Sequence, residues 1–130
     1  VTLYDSSVLI DYLAGRSPVV EYVESHADER AVAPPLVLFE VYQGEVFKAG
    51  ATDLGAVDEA LDWVDVIDTS AAVAREAALL QDALRDRGDP LAARDAFIAG
   101  AAVTLNDRLA VSDADFDVDG IRDALDVDFV

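Results

Sequence analysis

The run VTLYDSSVLI, residues 1–10, carries a single charge, Asp5, in an otherwise apolar or hydroxyl-bearing stretch. Val1–Tyr4 reads as a short central strand, and SSVLIDYLAG (6–15) as the helix that follows, with Ser6 or Ser7 as its N-cap and Gly15 as its stop. A lone buried carboxylate at such a junction costs several kcal/mol unless something compensates it. The identity of that compensation is the question the sequence poses.

Outward from this stretch the same alternation continues. SPVVEYVESHA (17–27) is a second helix with Pro18 in its first turn, and RAVAP (30–34) a short strand. PLVLFEVYQGEVFKAG (35–50) is a helix punctuated by Pro35 and Gly50. TDLGAVDEALDWV (52–64) places Leu54, Val57, Leu61 and Val64 at helical spacing, and DVIDTS (65–70) is a strand leading to a Thr69/Ser70 cap. AAVAREAALLQDALRDRG (71–88) is a long helix. DPLAARDAFIAGAAVTLN (89–106) is a small-residue helix able to lie close on a sheet. RLAVSD (108–113) is a strand, and ALDVDFV (124–130) an edge strand. The pattern predicts one α/β domain over residues 1–130, a three-layer α/β/α sandwich around a central, mainly parallel sheet of about 4–5 strands. Ligands in such sheets sit at the carboxyl ends of the strands, where the strand order switches.

The chain has 27 acidic and 9 basic residues, a net charge of −18. Acid this dense repels itself in dilute buffer and is screened at high ionic strength, the surface expected of a halophile. The absence of cysteine excludes disulfides, thiolate zinc sites and thiol nucleophiles. No apolar run is long enough to span a membrane and no leader is evident, so a cytoplasmic location is expected.

Most of the acid lies in polar runs, but four residues do not fit a solvated surface. Asp5 ends the first strand. Glu40 is the only charge between Ala31 and Gly44, on a helix apolar nearly all round. Asp95 precedes the uncharged run AFIAGAAVTLN and shares a stripe with Ile98, Ala102 and Leu105. Asp113 follows the strand LAV at the same end of the sheet as Asp5. Each has a structural alternative: a cap for Asp5, an arginine partner such as Arg94 or Arg75 for Glu40, the helix dipole for Asp95, and an acidic loop for Asp113. If the four converge, they require protons or a cation. Oxygen ligands without His or Cys select a hard ion, Mg²⁺ or Mn²⁺. The lone His26, in ESHADER, reads as a surface residue.

Taken together, Asp5-Ser6-Ser7-Val8-Leu9-Ile10, Glu40 with Gly44, Asp95-Ala96-Phe97-Ile98-Ala99-Gly100-Ala101 and Asp113-Ala114-Asp115-Phe116 resemble the PIN domain. More narrowly they resemble VapC-type toxins of toxin–antitoxin pairs, here of a halophilic archaeal type. The resemblance implies a ribonuclease whose acidic residues hold Mg²⁺ or Mn²⁺ to hydrolyse single-stranded RNA. It makes Asp5 the principal metal ligand, Glu40 and Asp95 its companions, Asp113 a more distant fourth, and Ser7 an orienting hydroxyl. Relatives usually carry Thr two residues before the last acid; Val111 stands there and Ser112 follows, which leaves Asp113 or Asp115 as the fourth acid. Asp113 is preferred for its spacing to Phe116.

In that reading the ion activates water, with Glu40 or Asp113 as base, and cleavage leaves a 5′-phosphate. Arg94 and Arg108 would contact phosphate or serve as ion-pair partners. A VapB-like antitoxin and a homodimer are implied, the latter using helices with Tyr22, Phe39, Tyr42 and Phe47 unless these fill the core. The competing readings are an RNA-processing nuclease without an antitoxin, a catalytically quiet binding module, and a haloacid-dehalogenase-type phosphatase. The last requires a second Asp where Ser7 stands.

Overall fold

Thr2, Leu3 and Tyr4 are each at most 1% exposed, as the apolar opening run requires, and form the central strand of the sheet. The computed structural model describes residues 1–130. Its strands are β1 (Thr2–Tyr4), β2 (Ala31–Ala33), β3 (Val64–Val66), β4 (Arg108–Val111) and β5 (Val127–Phe129). Its helices are α1 (Ser6–Leu13), α2 (Ser17–Ser25), α3 (Pro35–Phe47), α4 (Leu54–Ala60), α5 (Ala71–Arg85), α6 (Ala93–Leu105) and α7 (Ile121–Ala124). The five strands make one parallel sheet in the order β3-β2-β1-β4-β5.

That order contains one reversal. From β1 the chain moves outward through β2 to β3, then α5 and α6 carry it back across to β4 on the other side of β1. Right-handed crossovers then put α1–α4 on one face and α5–α6 on the other. The packing agrees, with α1 against α2 and α3, α3 against α4, and α5 against α6. The switch in strand order lies between β1 and β4, so Asp5 and Asp113 leave the sheet on either side of it.

Several boundaries differ from the sequence reading, each for a tertiary reason. Val64, predicted as helix, starts β3 because it pairs with Ala31. Helix α6 starts at Ala93 because the Gln81 side chain grips the segment before it, its Nε2 donating to the Leu91 carbonyl at 2.6 Å and its Oε1 accepting from the Leu91 N–H at 2.9 Å. Helix α7 and a 3-10 turn at Ala114–Phe116 went unread in the acidic segment; Phe116 and Ile121, both fully buried, anchor them. Tyr4 and Tyr12 meet Trp63 edge-on at 5.3 and 5.1 Å.

The small residues of α6 serve the helix beside it as well as the sheet. A Cβ on Gly100 would stand 2.8 Å from N, Cα and Cβ of Ala77 on α5. Gly100→Ala is therefore expected to destabilise the fold by roughly 1–3 kcal/mol, because one methyl must push two packed helices apart. Urea unfolding checks this, and an unchanged midpoint would contradict the close approach.

Candidate active site

The Asp5 N–H donates to the Ala110 carbonyl at 3.0 Å, which fixes the residue at the carboxyl rim of the β1–β4 seam. Its extended backbone (φ −73°, ψ 158°) then opens α1, and its Oδ2 accepts from the Ser7 N–H at 3.1 Å and the Ser7 hydroxyl at 2.6 Å. Asp5 is thus the N-cap of α1, in place of the Ser6 or Ser7 expected from sequence. The Ser7 Oγ in turn accepts from the Ser112 N–H at 3.1 Å, tying α1 to the end of β4.

The other oxygen of Asp5 faces a single guanidinium. Arg94, in the first turn of α6, donates from Nη2 to Asp5 Oδ1 at 2.9 Å and to the Ser6 hydroxyl at 2.7 Å, and from Nη1 to Asp95 Oδ1 at 2.7 Å. Its Nε lies 2.9 Å from both oxygens of Glu40, and Nη2 also bonds Glu40 Oε1. The Ser6 hydroxyl completes the ring by donating to Glu40 Oε1 at 3.3 Å. Residues 5, 40 and 95, far apart in the chain, therefore meet around one cation. Asp5 and Asp95 are buried, whereas the side chains of Glu40 and Arg94 are each 29% exposed.

This corrects the expectation that a divalent ion alone offsets Asp5, because here an arginine does. Three carboxylates against one guanidinium give the cluster a formal charge of −2. Burial pushes the Asp95 carboxyl up, Arg94 pulls it down through a hydrogen bond and its charge, and the charges of Asp5 and Asp113 push it up again; the net shift is upward. Burial opposes the charge on Arg94, but the bond to Glu40, the charge of Asp5 and the bond to Asp95 outweigh it and raise the guanidinium above its usual value.

The remaining predicted residues divide. Asp113 is half-buried and its charge reaches Asp95, while its Oδ1 accepts from the Asp115 N–H at 2.9 Å to start the 3-10 turn. Asp115 is exposed. Val111 is fully buried, and the Ser112 hydroxyl turns to Asp11 Oδ2 at 2.9 Å. Arg108 does not flank the site: it opens β4 at the opposite end of the sheet, held by Glu29 at 3.2 Å and Asp128 at 3.5 Å. His26 stacks on Tyr22, ring centroids 4.1 Å apart, and takes no part. Leu105, placed on the Asp95 stripe, is exposed at the end of α6.

Arg94 pairs with Glu40 as the sequence allowed, but its bonds to Asp5 and Asp95 and the part of Ser6 in the cluster were not read. The available signal was that Arg94 is the only basic residue between Arg87 and Arg108, beside the one acid of an apolar helix. The donors are all oxygens, three of them carboxylates converging on one positive charge, which is the chemistry Mg²⁺ or Mn²⁺ selects. With Arg94 between them, no three acids stand close enough to form a ready-made ligand set.

A family model described as the PIN domain matches residues 2–120. Solved structures share the fold. FitAcB from Neisseria gonorrhoeae superposes with a TM-score of 0.81 at 20% identity, covering 100% of this chain and 97% of that one. VapBC2 from Rickettsia felis, bound to a promoter DNA fragment, gives 0.76 at 17% identity, covering 98% and 97%. A toxin-antitoxin complex from Klebsiella pneumoniae gives 0.74 at 21% identity, covering 89% and 90%. No curated protein sequence matches the chain.

The raised Asp95 carboxyl yields a test in the presence of chelator. An acid whose folded pKa is raised holds its proton more tightly when folded, so that contribution is full below the unfolded pKa and is lost as pH rises through the folded one. Asp95→Asn keeps an acceptor for Arg94 and removes the charge, so the variant is expected to melt above the parent at neutral pH. The gap should close as pH falls below the ordinary carboxylate range. A variant melting lower at pH 7 would mean that the Asp95–Arg94 pair outweighs burial.

Proposed function

The chain belongs to the PIN domain family, and on that premise we propose that it is a Mg²⁺- or Mn²⁺-dependent endoribonuclease acting on single-stranded RNA, the toxin of a VapBC-type pair. The observation that carries this reading is the convergence of Asp5, Glu40 and Asp95 on one cation at the point where the strand order switches.

Asp5 and Asp95 are the residues to hold the ion, with Glu40 beside them and Asp113 at greater distance. Bound there, the ion would lower the pKa of a water and neutralise charge at the scissile phosphate. The chain's own contribution is rigidity. Ser7 holds one Asp5 oxygen and leaves the other aimed at the centre, and Ser6 steadies Glu40. Glu40, whose side chain is 29% exposed, is placed to accept a proton from an entering water. Glu40 or Asp113 fills that role.

Partners are supported by two features. One similar structure is named as a toxin-antitoxin complex and another as VapBC2 bound to promoter DNA, which supports a VapB-like antitoxin here. Phe39, Val46 and Phe47 of α3 are 59%, 47% and 77% exposed, and Ile10 and Leu13 of α1 line a separate groove with Val41 and Gly44 of α3 and with Lys48; such exposed apolar surface supports a homodimer or antitoxin contact. Tyr22 and Tyr42, by contrast, pack against the core with hydroxyls on Asp128 and Asp58. No helix is long and apolar enough to cross a membrane.

A catalytically quiet binding module is the second reading, and the observation favouring it is that Arg94 already bonds Asp5, Glu40 and Asp95. One assay separates the two. With a charge of −18 the enzyme repels RNA, so the assay belongs in molar salt, where the Debye length is about 3 Å. Cleavage of single-stranded RNA is expected with Mg²⁺ or Mn²⁺, to stop with chelator, and to fall by about 100-fold or more in Asp5→Asn, while Arg108→Ala leaves it intact. Metal-independent cleavage, or full activity in Asp5→Asn, would refute the nuclease mechanism.

A further inference from the structure

We propose that Arg94 is a built-in counter-cation that competes with the divalent ion for the same carboxylate oxygens, so that the ion binds only when the guanidinium swings out. The inference rests on the metal-site reading above and adds the element that regulates it.

The hydrogen bonds argue for exclusion. Asp5 Oδ2 is held by two donors of Ser7, whose hydroxyl is itself fixed by the end of β4. Only Asp5 Oδ1 is left to face a cation, and Nη2 of Arg94 holds it. Both Glu40 oxygens lie on Nε, and Asp95 Oδ1 lies on Nη1. Every nitrogen of the guanidinium is therefore occupied by at least one acid. An ion ligated by these oxygens must replace those bonds and would sit against a like charge within a few ångströms, with little water between to screen it.

The same geometry identifies the moving part. Asp5 is pinned between a strand and a helix cap, and Asp95 lies in the buried first turn of α6. Arg94 occupies that first turn too, but its side chain is 29% exposed and carries a long flexible stem, so it has a way out to solvent. In the metal-free protein the guanidinium relieves the repulsion among the acids. The apparent affinity for metal is then the intrinsic affinity reduced by the fraction of molecules in which Arg94 is displaced.

The test is Mn²⁺ binding to the full chain by isothermal titration calorimetry, for the parent and for Arg94→Met, which keeps the stem and removes the donors. The variant is expected to bind Mn²⁺ roughly tenfold tighter or more, to melt below the parent in chelator, and to gain more from added Mn²⁺. Equal or weaker binding by a folded Arg94→Met overturns the competition while leaving the metal site standing. Absence of Mn²⁺ binding in both proteins overturns the metal site itself and the inference with it. A second measurement needs no substitution: in ¹⁵N spectra of the parent, the Arg94 Nε–H resonance is expected to shift and lose exchange protection as Mg²⁺ is added. A resonance unmoved at saturating Mg²⁺ overturns the proposal.

Discussion

Arg94 places one positive charge among Asp5, Glu40 and Asp95, and the carboxyl edge of the sheet is organised around that contact. Gathering three carboxylates at one rim is electrostatically unfavourable, since like charges about 4 Å apart repel by about 4 kcal/mol at an effective dielectric of ~20. A fold that gathers them must also provide a cation. In the metal-free chain the cation is part of the sequence, attached next to one of the acids it neutralises. The formal charge that it leaves over is what the proposed divalent ion would neutralise.

The rest of the fold brings these groups together. The switch in strand order sets Asp5 and Asp113 just beyond the ends of neighbouring strands, and the crossover that causes it delivers the start of α6 to the same rim. Gly100 allows α6 to lie directly on α5, and Gln81 of α5 holds Leu91 three residues ahead of Arg94. Ser7 and Ser112 stitch α1 to β4. A sheet edge assembled from four separated segments thereby becomes a fixed frame around the Arg94 side chain.

Much of this was legible in the sequence because the informative residues stood out against their surroundings. A single acid in an apolar strand, a single acid on an apolar helix and a single acid before a run of small residues each mark a carboxylate that solvent does not account for. Alternation of strands and helices sufficed for a parallel sheet. What the sequence did not reveal depends on direction in space. Arg94 and Arg108 read alike along the chain, yet one lies inside the acid cluster and the other at the amino end of β4 among Glu29 and Asp128. Ser6 and Ser7 are adjacent and chemically identical, but α1 turns one towards Glu40 and the other towards Asp5. Among the aromatics named for a dimer surface, spacing alone could not separate the exposed Phe39 and Phe47 from Tyr22 and Tyr42, whose hydroxyls are bonded. The acidic segment after β4 concealed α7 because its anchors, Phe116 and Ile121, are two apolar residues among many charges.

The proposed metal site, with Arg94 competing for it, makes a direct structural demand. Crystals soaked in Mn²⁺ at high salt, with anomalous data collected at the manganese edge, should show an ion ligated by Asp5 Oδ1 and Asp95, with the Arg94 guanidinium turned out to solvent. Manganese bound elsewhere on the acidic surface, with Arg94 still bridging Asp5, Glu40 and Asp95, would contradict the account.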